Sequence, residues 1–503
     1  MPDEVELKLR IDPADAARLR RHPAVLTALD GKPVTRKLTS IYYDTPDLQL
    51  LDAGVSLRVR RMSGGWFQAV KAKGKALAGL HQRMEWEDII AAGHPDFSKI
   101  IDPALTRIFD NDALRNALAP IFITEVRRTE WQLAMPDGSR IEMALDLGQL
   151  QVQGKTEPIS EVELELKHGD AGRLFDLALE LQAGIPLHIE NVSKAQRGYM
   201  HYRPAPPPVV KAKVAPLDKT MRAGEAFRRI GWECLAQLQG NQDMVLHGSD
   251  PEGVHQMRVA LRRLRSAMGV FRAVIDRQQC VGLAEELRWI AAELGNARDL
   301  DVFLGETLPP IFVQLAHHPG LLALRDKAIT AQAKAYAAAR AAIQSQRYQR
   351  LLLTLGAWLE SGQASHGNAN VMEVAEAMLR KRNKQLRRHG RLLREVNTEE
   401  RHLARIAGKK LRYAAEFFTC LYPQDRTRPF LNGLAGLQDV LGTLNDIAVT
   451  AVLVRKLAGR RPTRELDEAL HIFSGWNGCH AMHKLAHMDE SWQAFAAQRP
   501  FWH

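Results

Sequence analysis

Residues 2–10, Pro-Asp-Glu-Val-Glu-Leu-Lys-Leu-Arg, decide how the first part of this 503-residue chain folds. In an extended strand successive side chains point to opposite faces. Val5, Leu7 and Leu9 then share an ordinary core face, while Glu4, Glu6, Lys8 and Arg10 share the other. Two acids and two bases on one ribbon, with no apolar residue between them, would suit a solvated face if the run stood alone. It does not stand alone.

The same alternation recurs through the first 200 residues. A helix is expected over Asp12–Leu29, with Pro13 and Asp15 near its start. After it, Lys37-Leu-Thr-Ser-Ile-Tyr-Tyr-Asp-Thr-Pro46 is an extended run closed by a turn, and Leu57-Arg-Val-Arg-Arg-Met62 places Arg58 and Arg60 on one face. A Ser63-Gly64-Gly65 turn leads into Trp66–Lys73, where Lys71 and Lys73 share a face; turn signals between such runs predict antiparallel hairpins. His81–Glu87 sets Arg83, Glu85 and Glu87 opposite Met84 and Trp86. Thr124–Leu133 carries Arg127 and Arg128, Arg140–Asp146 carries Glu142 and Asp146, and Glu161-Val-Glu-Leu-Glu-Leu-Lys167 nearly repeats the opening stretch. One open sheet cannot turn so many charged faces to bulk water. A closed barrel with a charged lumen resolves the pattern, because closure gives every strand an inner and an outer face. Buried charges are costly unless paired or neutralised by a ligand. A polyanion carrying divalent cations satisfies both sets: Arg and Lys hold phosphoryl oxygens, and carboxylates hold Mg²⁺ or Mn²⁺.

Composition sets wider bounds. The length predicts two to four domains, and 46% apolar with 25% charged residues are ordinary globular values. No run of about 18 apolar residues is present, and the acid-bearing start does not read as a leader, so no membrane partner is expected. Cys234, Cys280, Cys420 and Cys479 are widely spaced, as suits reduced thiols and a cytoplasmic location. The formal charge of +11 attracts polyanions and leaves nucleic acid, anionic lipid and phosphate chains open.

Glu4-Val-Glu-Leu-Lys8 resembles the ExExK signature of the CYTH, or triphosphate tunnel metalloenzyme, family. With it, in the family's order, stand Arg58/Arg60, Lys71, Arg83-x-Glu85, Arg128, Asp146, Glu163-x-Glu165 and Ser193-Lys194 followed by Arg197. The resemblance covers about 200 residues. It implies an eight-stranded antiparallel β tunnel with flanking helices, and metal-dependent hydrolysis or cyclisation of a triphosphate. It assigns Glu4, Glu6, Asp146, Glu163 and Glu165 to metal, and Glu4, Glu6, Lys8, Glu85 and Asp146 to catalysis. It assigns Lys8, Arg58, Arg60, Lys71, Lys73, Arg83, Arg128, Lys194 and Arg197 to the phosphates, with Lys73 and Arg197 equally suited to a structural or rim role. Glu161 shares the Glu163/Glu165 face, so the pair's register could shift by two. Glu87, Glu142 and Arg127 are expected to be scaffold.

Tyr202-Arg-Pro-Ala-Pro-Pro-Pro-Val-Val-Lys-Ala-Lys-Val-Ala-Pro216 is a proline-rich connector that predicts an extended, semi-rigid spacer. Domains are therefore expected over 1–203 and 217–503, with the linker at 204–216. Beyond it helical periodicity takes over, giving an α+β chain whose second part is an all-α bundle. His255-Gln-Met-Arg-Val-Ala-Leu-Arg-Arg-Leu-Arg265 returns as His402-Leu-Ala-Arg-Ile-Ala-Gly-Lys-Lys-Leu-Arg412, an offset of 147 that also separates Leu294 from Leu441 in Leu-Gly-x-x-x-Asp. This marks a duplicated helical unit, with repeats around 250–305 and 397–452. His255, Arg258, Arg262 and Arg265 form one stripe, and His402, Arg405, Lys409 and Arg412 the other, each followed by an acid, Asp299 or Asp446. Arg263, Lys410, Arg387 and Arg388 add to the basic surface. Aromatic residues that would stack bases are sparse along the stripes, which argues against nucleic acid and for phosphate polymers. This part resembles the CHAD domain, a helical module that often follows CYTH and binds inorganic polyphosphate, and the resemblance implies a place at polyphosphate granules in the cytoplasm. His480, His483 and His487 could suit a metal, but such a row is more often a helix face.

The expected activity is therefore an inorganic triphosphatase that cleaves tripolyphosphate to pyrophosphate and phosphate, carrying a polyphosphate-binding domain. The alternatives on the same tunnel are a class IV adenylate cyclase or a nucleoside or thiamine triphosphatase. From another class, the chain could be a non-catalytic binder of polyphosphate granules or nucleic acid.

Overall fold

The computed structural model describes residues 4–62, 64–72, 74–361, 368–390, 393, 395 and 397–502. It contains two compact units. The first comprises Met1–Pro206 together with Ser345–Ser361, and the second comprises Pro207–Gln344 and Gly362–His503. The division is not sequential, because a segment from far along the chain lies in the first unit.

Antiparallel strands dominate that unit. β1 (Glu4–Ile11), β2 (Val34–Asp44), β3 (Val55–Met62), β4 (Gly65–Ala72), β5 (Lys75–Leu77), β6 (Leu80–Arg83), β7 (Glu85–Ile90), β8 (Ala119–Ala134), β9 (Arg140–Val152), β10 (Lys155–His168) and β11 (Leu187–Ile189) form one sheet. Pairing runs β1-β10-β9-β8-β2-β3-β4-β7. The circuit closes because β6, which pairs with β1, is separated from β7 only by Met84. With β6 and β7 counted as one bent strand, this is an eight-stranded tunnel.

Register fixes which side chains look inward, since residues directly opposite share a face. Glu6 lies opposite Glu165, Lys8 opposite Glu163, Glu161 opposite Asp146, and Asp146 opposite Arg128. Around the rest of the ring Ser40 faces Arg60, Tyr42 faces Arg58, Lys71 faces Glu85, and Glu4 faces Arg83. The opposite face carries Leu7, Leu9, Met143, Leu145, Val162 and Leu164, all buried. Part of that outer face is covered by the Gly172–Gly184 helix, whose Leu174, Phe175, Leu177, Ala178 and Leu181 point into the core. The alternation read from the sequence is thus inverted relative to an open sheet: hydrophobes cover the outside of the ring and charges line the inside.

The lumen is not charged along its whole length. Leu38, Tyr42, Phe122, Val126, Leu150 and Ile159 occupy inward positions and pack with Tyr199 of the Lys194–Tyr202 helix. That helix approaches so closely that a Cβ on Gly198 would fall 2.4 Å from Phe122 Cε2, so only glycine fits. An apolar plug therefore fills one section of the bore.

The expected single helix over Asp12–Leu29 is broken. A short turn at Pro13–Asp15 and a helix at Ala16–Arg20 end before Pro23, which starts a second helix, Pro23–Ala28. Proline has no amide hydrogen to continue the first helix and is well placed at the start of the next.

The second unit is helical. Its main members are Ala223–Gln239, Glu252–Val270, Arg277–Val302, Pro319–Gln344, Val371–His389, Thr398–Phe418, Gln424–Ala458 and Arg464–Ala486. Phe271 stands between Phe227 and Phe418 at ring separations of 5.7 and 5.9 Å. By length and hydropathy alone the Gln424–Ala458 helix could cross a membrane; its Phe430, Leu434, Leu437 and Leu441 are buried within the unit. The proline-rich stretch is not a free spacer from Pro207 onward. Val210 exchanges hydrogen bonds with the Asn241 side chain, Arg263 donates to the Lys213 carbonyl, and Cys420 donates to that of Ala215. An extended backbone without internal hydrogen bonds leaves its polar groups available, and neighbouring side chains take them up.

Candidate functional site

The charged section of the bore is a continuous network of ion pairs. Lys8, only 3% exposed, bonds Glu6 at 2.6 Å and also Glu163. Arg83 joins Glu4 (3.0 Å) to Glu6 (2.7 Å), and Lys71 joins Glu4 (3.0 Å) to Glu85 (2.7 Å). Glu85 in turn meets Arg58 at 3.3 Å. Across the ring Arg128 holds Asp146 through two hydrogen bonds and reaches Glu163. Lys194 sits among Asp146 (2.8 Å), Glu161 (2.7 Å) and Glu163 (2.8 Å). Lys194 reaches this place because Ser193 caps its helix through a reciprocal capping box with Gln196.

Burial by itself would neutralise these groups, and the neighbouring charges decide otherwise. For Glu4 and Glu6 burial pushes the pKa up, but Lys71 and Arg83 at the first, and Lys8 and Arg83 at the second, bring it below the usual carboxylate range. Glu85, opposed by burial, is held at about 2 by Lys71 and Arg58. Asp146 and Glu163 likewise lie low despite burial, through Arg128 and Lys194 at Asp146 and through Lys194, Lys8 and Arg128 at Glu163. Arg60 behaves differently. Its Nε donates to Ser40 Oγ at 2.9 Å, and burial beside Arg58 and Arg128 pushes its guanidinium down to about 10. It is a cation held where other cations already are.

The structure brings together Glu4, Glu6, Lys8, Arg58, Arg60, Lys71, Arg83, Glu85, Arg128, Asp146, Glu163 and Lys194. Glu165 stands apart: its carboxylate turns to Lys167 at 2.5 Å, and burial raises its pKa. The buried acidic pair on β10 is Glu161 and Glu163, shifted by two from Glu163/Glu165, because those two share Lys194. Arg197 is taken up by Glu157, Glu161 and the Pro158 carbonyl, which fastens its helix to β10. Glu87 reaches Arg58 at 3.5 Å from a more exposed position. Lys73 lies outside the described residues.

Two inward residues escaped the sequence reading. Glu161 was visible only as an alternative register. Tyr42 is stacked on Phe122 at 4.5 Å; burial would raise its phenol, but Arg58, Arg60, Lys194 and Lys71 draw it below the usual value. The alternation Ser40-Ile-Tyr42 carried that signal, hidden because tyrosine reads as core.

The donor set fits a hard divalent cation in its chemistry: Glu4, Glu6, Asp146 and Glu163 offer oxygen only, and neighbouring cations hold them below the usual carboxylate range. Among the described residues no group of three or more acids, histidines or cysteines is arranged to hold a metal ion, since ammonium and guanidinium groups stand between the carboxylates and the three acids around Lys194 enclose its ammonium. The same holds for His480, His483 and His487; the last two rings are 5.0 Å apart and no metal cluster forms there.

A second basic site lies within the helical unit, between the duplicated helices. Arg258 Nη1 donates to the Ala291 carbonyl (3.0 Å), His402 Nδ1 is 3.1 Å from Asn445 Oδ1, and Arg405 is 4.0 Å from Asp446. The buried Nε groups of Arg262 and Arg405 have no hydrogen-bond partner among the described residues. Burial together with Arg405 and Arg262 pushes Lys409 down to about 8. His255 is lowered by burial and by Arg298. Arg412 pairs with Glu416, and Arg265, Arg388 and Lys410 are exposed. Arg263 is interior, bonded to Gln237 and Lys213, and Arg387 donates to the Ala496 carbonyl over the Phe495 ring. These two hold the unit together and leave the stripe to its other members.

A closed antiparallel ring with an ion-paired bore, followed by a duplicated helical unit, defines the class. Residues 2–199 match the CYTH domain and residues 229–455 the CHAD domain, so the chain is a CYTH domain followed by a CHAD domain. Over 202 residues it is 33% identical to the inorganic triphosphatase of Haemophilus influenzae, covering 40% of this chain and 55% of that one. The chain thus spans about half the length of that relative. Two uncharacterized proteins of Mycobacterium tuberculosis are 25% identical over 457 residues, 82% of each chain. The crystal structure of the CHAD domain from Ricinus communis matches 58% of this chain and 98% of its own length at 36% identity, with a TM-score of 0.53.

Proposed function

We propose that the tunnel hydrolyses tripolyphosphate to pyrophosphate and phosphate with Mg²⁺ or Mn²⁺, and that the helical unit binds inorganic polyphosphate. The observation that carries the first part is Arg60: a half-buried guanidinium with its charge disfavoured, facing Ser40 beside Arg58 and Arg128. Such a group gains most when a phosphoryl anion arrives. The likeness to the Haemophilus inorganic triphosphatase over the CYTH part supports the same class of reaction.

In this mechanism Lys8, Arg58, Lys71, Arg83, Arg128 and Lys194 exchange carboxylate partners for phosphoryl oxygens, and Arg60 joins them from its place beside Ser40. They bind and align the chain and neutralise charge that spreads over the transferred group. Glu4, Glu6, Asp146 and Glu163 would hold a divalent cation, which when bound would supply further neutralisation and a more acidic water. Once Lys71 and Arg58 turn to phosphate, Glu85 loses the cations that hold it at about 2 and becomes basic enough to orient and deprotonate water.

For the second part the support is the orphaned Nε donors of Arg262 and Arg405 beside Lys409. They lie on the facing stripes and await acceptors. The test is phosphate release from tripolyphosphate, ATP and thiamine triphosphate with each metal. Preference for tripolyphosphate is expected; cyclic AMP from ATP, or a preference for thiamine triphosphate, overturns the substrate assignment.

A further inference from the structure

The helix Gln346–Glu360 falls inside the stretch matched to the CHAD domain, yet it belongs to the tunnel unit. Its Tyr348, Leu351, Leu352, Leu353, Leu355, Trp358 and Leu359 are buried, and it packs on the Gly172–Gly184 helix and on β11. The approach is close: a Cβ on Gly356 would lie 2.3 Å from Phe175 Cε1. Glycine inside a helix costs about 1 kcal/mol relative to alanine, so its presence there has a packing reason.

Two glutamines one turn apart reach from this helix to the tunnel wall. Gln349, 8% exposed, accepts the Ile189 amide at 2.9 Å, and Gln346 Nε2 is 3.0 Å from His188 Nε2. β11 is an edge strand of three residues, paired to β1 through Leu9–Ile189 and Arg10–His188. Immediately after it, the Glu190 amide donates to the Lys8 carbonyl at 2.9 Å, and the Glu190 carbonyl meets His81 Nε2 at 3.0 Å. Four residues further on, Lys194 enters the bore. The backbone that carries Lys8 and Lys194 is therefore tied from outside the ring to this helix, and the bond from the Ile189 amide to the Gln349 oxygen is the one made to the strand's main chain.

We infer that Gln349 is a positioning residue of the tunnel site: its hydrogen bond to Ile189 fixes β11 and so sets Lys8 and Lys194 for the phosphate chain. The inference rests on the triphosphatase reading. A three-residue edge strand has few bonds to share the loss, so removing this one lets the segment open locally. The two cations then bind triphosphate less tightly, while groups on the other strands stay in place.

The test uses the full chain with Gln349→Met, which removes the acceptor at similar volume, and Gln349→Glu, which retains it. Tripolyphosphate KM and kcat are measured well below each variant's melting temperature, with amide exchange followed over residues 187–194. Gln349→Met is expected to raise KM by about fivefold, the worth of one buried hydrogen bond, to leave kcat within about twofold, and to speed exchange in that segment; Gln349→Glu restores both. An unchanged KM in Gln349→Met, whatever its exchange, overturns the inference, as does equal impairment in both variants. A parent chain that neither binds nor cleaves tripolyphosphate overturns instead the reading beneath it.

Discussion

Replacing Arg60 with methionine should make the ligand-free tunnel more stable and the loaded one weaker. The Arg60 guanidinium is held near 10 by burial and by Arg58 and Arg128. Measured against an ordinary arginine, that is about 3 kcal/mol of unfavourable interaction with the charged form. The sign is that of a base whose folded pKa is lowered: the penalty is fully present below about 10 and is relieved only as pH rises past it. Arg60→Met removes the penalty and also the bond to Ser40, worth about 1 kcal/mol. The net gain of about 2 kcal/mol corresponds to a rise of about 4–8 °C for a unit of this size. Calorimetry of the full chain identifies the relevant transition as the one that tripolyphosphate shifts upward. In the same variant kcat/KM for tripolyphosphate should fall by about 10- to 100-fold, the worth of one charge-assisted hydrogen bond. A lower melting temperature in Arg60→Met, or undiminished kcat/KM, refutes the assignment of Arg60 as a strained anion receptor.

Lys8→Met should act in the opposite sense on stability, because it leaves Glu6 and Glu163 facing one another; a loss of about 3 kcal/mol is expected by denaturant titration, moderated by Arg83 and Lys194, which keep one carboxylate each. Glu4→Gln combined with Glu6→Gln should abolish triphosphate turnover in a phosphate-release assay while polyphosphate affinity, measured by calorimetry, stays within about twofold. In the helical unit, polyphosphate should draw a proton onto Lys409, which burial, Arg405 and Arg262 hold at about 8. Affinity should therefore fall as pH rises from 7.5 to about 9.5, and Lys409→Arg should flatten that profile; a parent profile already flat counts against the site.

The alternation of Glu4, Glu6, Lys8 and Arg10 with Val5, Leu7 and Leu9 was enough to place two sets of side chains on opposite faces, because a strand's period of two is a local property. The same holds for the duplicated His/Arg stripes, whose spacing puts them on one helix face. Which face turned inward, and how far the charge extended, depended on closure. Only the pairing of β6 with β1 and of β7 with β4 made the ionic face a lumen, and only the arrival of Lys194 from a distant helix separated Glu161/Glu163 from Glu165, which turns to Lys167. Tyr42 and the apolar plug were illegible for the same reason: an inward aromatic and an outward one have the same alternation. Gln349 lay furthest out of reach. It acts on Ile189 across 160 positions, through a helix whose own pattern fits a bundle, and tertiary packing alone assigns that helix to the tunnel.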